Sequence, residues 1–234
     1  MISLHLLSGG AAQGLVAQLG GRFTAQHECG ISASFGAVGM MKDGLLAGNP
    51  CDAIILTEAL IAQLTDSGHV LAGSARTLGV VKTGIARKEG DVSVAVDSPA
   101  ALKAALRAAR GIYFPDPVKA TAGIHFMNVL RQLGLETELA DRLHACSNGA
   151  AAMKAMAEAP GGGLIGCTQV TEILYAAGVR LVAPLPIEFE LATTYTAAVS
   201  ARASQPQAAR ALIELLAGTD AAALRLACGF EEAP

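Results

Sequence analysis

Short apolar runs that close on glycine, serine or threonine, each followed by a helical stretch, recur along this chain and limit its fold more than any other feature. "ISLHLL" leads through "SGGAAQG" into "LVAQLGGRFTAQH", "GISASFG" into "AVGMMKDGLLAGN", and "CDAIIL" into "TEALIAQLTDSG", where Thr57 is placed to cap the helix. Buried strands alternating with helices predict an α/β fold of mainly parallel sheets with flanking helices. In such sheets ligands collect beyond the carboxyl ends of the strands, at the helix starts. Small or hydroxyl residues decorate these ends: Ser8, Gly9 and Gly10, then Ser34, Phe35 and Gly36, then Thr57.

A second unit repeats the pattern. "LGVVKTGIARK" reads as a strand, and "SPAALKAALRAA" as a capped helix with Pro99 in its first turn. "GIYFPDPVKATAGIHFMNVLRQLG" is a strand, a Pro-Asp-Pro turn and a helix. "HACSNGAAAMKAMAEA" enters another helix through Ser147, Asn148 and Gly149, and "GGGLIGCTQVTEIL" is a strand ending at Thr168 and Gln169. The strand-like "ATTYTAAVSA" and the alanine-rich helices "QPQAARALIELLAG" and "DAAALRLACG" complete the chain.

The helix beginning at Thr121, Ala122 and Gly123 presents nearly bare backbone amides, with Lys119, Ala120 and His125 beside them. A helix start of this kind attracts an anion. Composition narrows the partners. Only 16% of residues are charged, aromatics are 4%, Trp is absent and the net charge is −3, which argues against nucleic acid. The five scattered cysteines form no C-x-x-C pair, so neither a metal site nor a disulfide framework is expected, and no cofactor is indicated. No run approaches the length of a membrane span. "GGGLIG" precedes its strand instead of following one, so it fails as a dinucleotide loop. "MISLHLLSGGAAQGL" lacks a basic leader region, so the expected location is cytoplasmic if Met1 is the native start, and periplasmic if a signal peptide preceded it.

The ordered set "SGGAAQGLVAQLGGRFTAQ", "SFGAVGMMKDGLLAGNPCDAIILTEALIAQLTDSG", "YFPDPVKATAGIHFMNVLRQLGL", "GCTQVTEIL" and "QPQAARALIELLAG" resembles the type II periplasmic solute-binding proteins, nearest the molybdate-binding components of ABC importers. The resemblance implies a two-lobed fold with a ligand cleft between lobes and hinge closure. Residues 1–79 and 198–234 would form one lobe and 80–197 the other, joined near 80–83 and 193–198. It also implies contacts from Ser8 and Gly9; from Ser34, Phe35, Gly36, Ala37 and Val38; from Thr57; from Lys119 through Gly123; from Ser147, Asn148 and Gly149; and from Thr168 and Gln169. Two departures bear on the ligand. Val38 stands where the family's turn carries a hydroxyl, and Thr168 and Gln169 replace a tyrosine-bearing stretch. Each unpaired oxygen of a desolvated dianion costs about 1–3 kcal/mol. An organic carboxylate, its carbon covered by Val38 and Met40, is therefore expected over molybdate.

Lys42, Lys82, Lys119 and Arg87 are the cations nearest these motifs, and two or more together would favour a polycarboxylate. Two functions follow. One is capture of a small anion without chemistry, with hand-off to an ABC importer if the chain is exported. The other is a cofactor-independent, aconitate isomerase-like proton shift on the same scaffold, with His125 or Glu58 as the base. Cys167 is a nucleophile only if a base adjoins it.

Overall fold

The computed structural model describes residues 2–232. The opening segment runs β1 (Ile2–Gly9), a 3-10 turn, α1 (Gln13–His27), β2 (Cys29–Gly36), α2 (Val38–Leu46), β3 (Ala53–Thr57), α3 (Glu58–Asp66) and β4 (Arg76–Lys88). The middle segment runs α4 (Pro99–Ala108), β5 (Gly111–Pro115), α5 (Thr121–Gln132), β6 (Leu143–Cys146), α6 (Gly149–Glu158), β7 (Leu164–Gln169), α7 (Val170–Tyr175) and β8 (Val179–Pro184). The chain then continues through β9 (Ala192–Val199), α8 (Pro206–Ala217) and the short α9 (Ala222–Ala227). Its contacts divide it into two compact units, Met1–Val81 with Thr193–Pro234, and Lys82–Ala192.

In the first unit β1 pairs in parallel with β2 and with β3, while β9 runs antiparallel to β3. Leu4, Leu6, Ile54, Ile55 and Leu56 are buried beneath Leu15 and Phe23 of α1 and Leu212 and Leu216 of α8. The unbroken apolar run in β3 is what a strand covered on both faces requires.

In the second unit β5 pairs in parallel with β6 and β7, and β4 runs antiparallel to both β7 and β8. Ile112, Phe114 and Ile165 of the sheet pack against Phe126, Val129 and Leu130 of α5. Met153 and Met156 of α6 pack with Ala86 and Ile173 in a separate cluster.

The mainly parallel sheet expected from the alternation is thus mixed. β4, β8 and β9 enter antiparallel, and a strand's direction is not written in its own residues. Two short strands, β6 and β8, and the six-residue α7 carry too little periodicity to stand out. The expected final helix is a 3-10 turn followed by the six residues of α9.

Asp52 fastens the first unit. Its buried carboxylate accepts the backbone N–H of His5 (2.7 Å), the N–H of Gln205 (2.8 Å) and the hydroxyl of Ser204 (3.0 Å). Burial alone would raise its pKa, but these hydrogen bonds outweigh burial and hold the group below the ordinary carboxyl range. Its contribution to stability is full above the unfolded-state pKa and is lost as pH falls through the folded-state value. Asp52→Ala strands these donors and is expected to destabilise the protein by about 2–4 kcal/mol at pH 7. Urea unfolding at pH 7 and at pH 3 checks this, because the loss should shrink at the lower pH.

Candidate functional site

Parallel pairing aligns the carboxyl ends of β5, β6 and β7 along one edge of the second unit. Pro115 lies opposite Cys146, and Tyr113 opposite Gly166. The loops leaving this edge hold the starts of α5 and α6 and the residue Gln169.

The loop before α5 is shaped by Asp116, whose Oδ1 accepts the N–H groups of Val118 (2.7 Å) and Lys119 (2.8 Å). The N–H of Ala120 goes to the carbonyl of Asp116 (3.2 Å), and the first helical bond runs from the Ile124 N–H to the Ala120 carbonyl (2.9 Å). The N–H groups of Val118, Lys119 and Ala120 are therefore committed within the loop, and the next amides, at the helix start, belong to Thr121, Ala122 and Gly123. No side chain caps α5. Gly123 is required here, since a Cβ would lie 2.2 Å from the Pro115 carbonyl and 2.3 Å from that of Asp116. By contrast, α6 is capped by Asn148, whose Oδ1 accepts the Ala151 N–H (2.8 Å). Ser147 beside it is exposed.

Gln169 ends β7 and is 3% exposed, yet neither its Oε1 nor its Nε2 has a hydrogen-bond partner. Directly across the antiparallel ladder stands Thr83, 1% exposed, whose hydroxyl is also unpartnered. Thr171, two residues beyond Gln169, carries a third such hydroxyl. Thr168 faces the start of α6 instead. Its Oγ1 donates to Oε2 of Glu172 (2.5 Å), and both groups crowd Gly149, where a Cβ would lie 1.9 Å from that carboxylate oxygen.

Glu172 is only 7% exposed. Burial pushes its pKa up from the ordinary 4.5 to about 7, opposed by hydrogen bonds from Thr168 and from the Gln169 backbone. The latter bond is the return half of a capping box, with Gln169 at the N-cap of α7 and Glu172 three residues on.

Lys82 adjoins Thr83, and its ammonium lies 3.1 Å from Glu190 Oε2. Arg87 does not join this edge. It pairs in register with Ile165, four residues from the Thr83–Gln169 pair or about 13 Å along the strand, and it donates to the backbone carbonyl of Asp91. His125, one turn into α5, hydrogen-bonds through Nε2 to the carbonyl of Phe189 (2.7 Å). A carbonyl only accepts, so Nε2 carries the hydrogen and Nδ1 is left as the basic nitrogen. Cys167 is fully buried with its thiol pKa pushed up, which removes it as a nucleophile.

The first unit has a comparable edge. Ser8 lies opposite Phe35 on one side and Ile55 on the other, and Gly9 opposite Gly36. The Ser8 hydroxyl is buried and donates to the Gly9 carbonyl (2.8 Å). Ala37 is the extended residue before α2, which no side chain caps. Ser34 is exposed on β2, and Phe35 packs against the core. Val38 does not form the apolar wall expected for it. It is 6% exposed within the core, filling the space a Cβ on Gly9 would need. What it can offer a ligand is its backbone N–H. Thr57 caps α3 by accepting the Leu60 N–H (3.4 Å), and Glu58 in the first turn is exposed.

Thr83, Thr171 and Glu172 escaped the reading of the sequence. A signal existed for Glu172: glutamate three residues after a strand-ending Gln169 is capping-box spacing.

With these edges described, the class of protein follows. The chain matches the family model for bacterial extracellular solute-binding proteins over residues 4–231 and belongs to that family. Among solved structures it is similar to the periplasmic molybdate-binding protein of Azotobacter vinelandii, with a TM-score of 0.81 and 20% identity, covering 99% of this chain and 100% of that one. It is also similar to a sulfate-binding protein of Mycobacterium tuberculosis, with a TM-score of 0.74 and 17% identity over 99% of this chain and 87% of that one. These likenesses establish the periplasmic-binding-protein fold. Among curated proteins it is 24% identical to an aconitate isomerase of a Pseudomonas species over 229 residues, covering 94% of this chain and 84% of that one. Among the described residues no helix is long and apolar enough to cross a membrane.

Glu172 makes stability depend on pH in the opposite sense to Asp52. A carboxyl with a raised folded-state pKa leaves the folded protein holding the extra proton, so stability falls as pH rises from 4.5 to about 7. Glu172→Gln mimics the protonated form. The variant should match the native protein near pH 5 and exceed it by roughly 3 kcal/mol at pH 8. Denaturant melts at the two pH values test this.

Proposed function

We propose that this protein is a binding protein for a small organic anion, a di- or tricarboxylate, held by uncharged donors at the strand-end edge of the second unit. The observation that carries the reading is Gln169, a buried amide with both polar atoms unpartnered, at the same strand-end edge of the second unit from which the chain leads to the uncapped start of α5. Leaving such a group unpaired costs about 1–3 kcal/mol. A ligand that supplies the missing partners recovers this on binding.

The amide also bears on ligand class. Its Nε2 donates to an anionic oxygen, but its Oε1 needs a donor. A fully ionised tetrahedral dianion has none, whereas an organic acid with a hydroxyl or a retained acid proton does. Neutral hydroxyls from Thr83 and Thr171, together with the amides of Thr121, Ala122 and Gly123, suit carboxylate oxygens. Lys119 precedes the start of α5, and Lys82, paired with Glu190, adjoins Thr83. Export and hand-off to an ABC importer belong to the same proposal, supported by the family.

A thermal-shift screen of citrate, trans-aconitate, sulfate and molybdate tests the class, with the carboxylates expected to stabilise most. Gln169→Leu tests the site. Replacing an unpartnered buried amide with an apolar group of similar shape should stabilise the ligand-free protein by about 1–3 kcal/mol while weakening citrate binding at least tenfold. A destabilised variant with unchanged affinity would place the ligand elsewhere.

A second reading is favoured by the similarity to aconitate isomerase. A proton shift in an unsaturated tricarboxylate needs a base that takes one proton and returns it. His125 can serve through Nδ1, its ring oriented by the Phe189 carbonyl, with exposed Glu58 as the other candidate. NMR of trans-aconitate incubated with the protein decides: turnover abolished in His125→Ala with binding retained supports the enzyme, and no turnover by the native protein leaves capture alone.

A further inference from the structure

We propose that anion capture at the edge of the second unit takes up one proton on Glu172, which acts through Thr168 as a positioning residue and sets how tightly anions are held. The inference rests on the anion-binding reading above and assigns a role to a buried carboxyl which that reading does not use.

The geometry supplies the argument. With Glu172 ionised, the Thr168 hydroxyl donates its hydrogen to Oε2 and is unavailable to a ligand. When a proton from solvent joins that oxygen, the carboxyl becomes the donor and Thr168 Oγ1 the acceptor. The threonine hydrogen is then released for an anion at this strand-end edge, where Thr168 and Glu172 press against Gly149. No atom is exchanged beyond the one proton, which returns to solvent when the anion leaves.

Charge acts in the same direction. An ionised Glu172 behind the edge repels an incoming anion, and a protonated one does not. The elements packed against α7 are α6, β7 and β8, and none sets a compensating charge against the carboxyl. Lys154 and Glu158 of α6 are exposed and lie 3.8 Å apart, Arg180 of β8 is exposed and pairs with Glu89, and Cys167 of β7 is a buried thiol held neutral. On α7 itself Tyr175 is half-exposed. Glu172 is poised to respond because burial has moved its titration close to neutrality.

The test is isothermal titration of the full chain with citrate and with sulfate at pH 6, 7 and 8, for the native protein, Glu172→Gln and Thr168→Val. Any titration of the anion itself is shared by all proteins and cancels in the ratio of their dissociation constants. The native protein should lose affinity relative to Glu172→Gln as pH rises, by about fivefold between pH 7 and 8. At pH 8 its binding heat should vary with the ionisation enthalpy of the buffer, reporting close to one proton taken up. Thr168→Val should bind more weakly at pH 6 and show a shallower slope. Thermal melts without ligand confirm that each variant is folded. A Glu172→Gln protein with the native pH profile overturns the inference and leaves the binding function standing, as does a Thr168→Val protein that keeps both native affinity and slope. Failure of the native protein to bind either anion overturns both.

Discussion

Desolvated polar groups at the ends of strands are the constraint on which the structure turns. Every strand that reaches the core must end somewhere, and its last residues sit where the apolar interior gives way to loops. Some helix starts are closed by a side chain: Thr57 caps α3, Ser98 caps α4 and Asn148 caps α6. Others, α2 and α5 among them, are not, and at Gln169 a whole amide is left without a partner. On the proposed reading, the open groups at Gln169 and at the start of α5 are the donors kept for a ligand. Because they are neutral and already dehydrated, they can hold an anion without burying a counter-charge, whose desolvation would offset much of the attraction.

The two buried carboxyls show how the same chemistry gives opposite results. Asp52 meets two backbone N–H groups and a hydroxyl, so it stays ionised and ties the first unit together. Glu172 meets one hydroxyl and one backbone N–H deep in the second unit, and these do not offset its burial. The difference lies in the number of donors and the depth of burial, not in the residue type. One group ties its unit together, and the other is held toward its protonated form by burial.

Much of the architecture was legible because it rests on local pattern. The buried runs of β1, β3 and β7, the caps at Thr57 and Ser98, and the helix starting at Thr121 follow from periodicity and from capping residues. Strand direction was not legible, since the antiparallel entry of β4, β8 and β9 depends on partners distant in the chain. The candidate edge was read in part. Thr168 and Gln169 stood out as departures from a family pattern, but the need for a partner at Gln169 appears only once Thr83 is seen across the ladder. Val38 misled as an apolar wall, because its side chain fills the space left open by Gly9. Arg87 misled because closeness in sequence to Lys82 hides four residues of strand.

The most direct test of the account is to follow side-chain and backbone amide resonances by NMR during titration with citrate. The Nε2 hydrogens of Gln169 and the backbone N–H groups of Thr121, Ala122 and Gly123 should move together, downfield and with a single dissociation constant. Saturable shifts confined to other residues, with Gln169 silent, would contradict the claim that this unpartnered amide is where the anion is held.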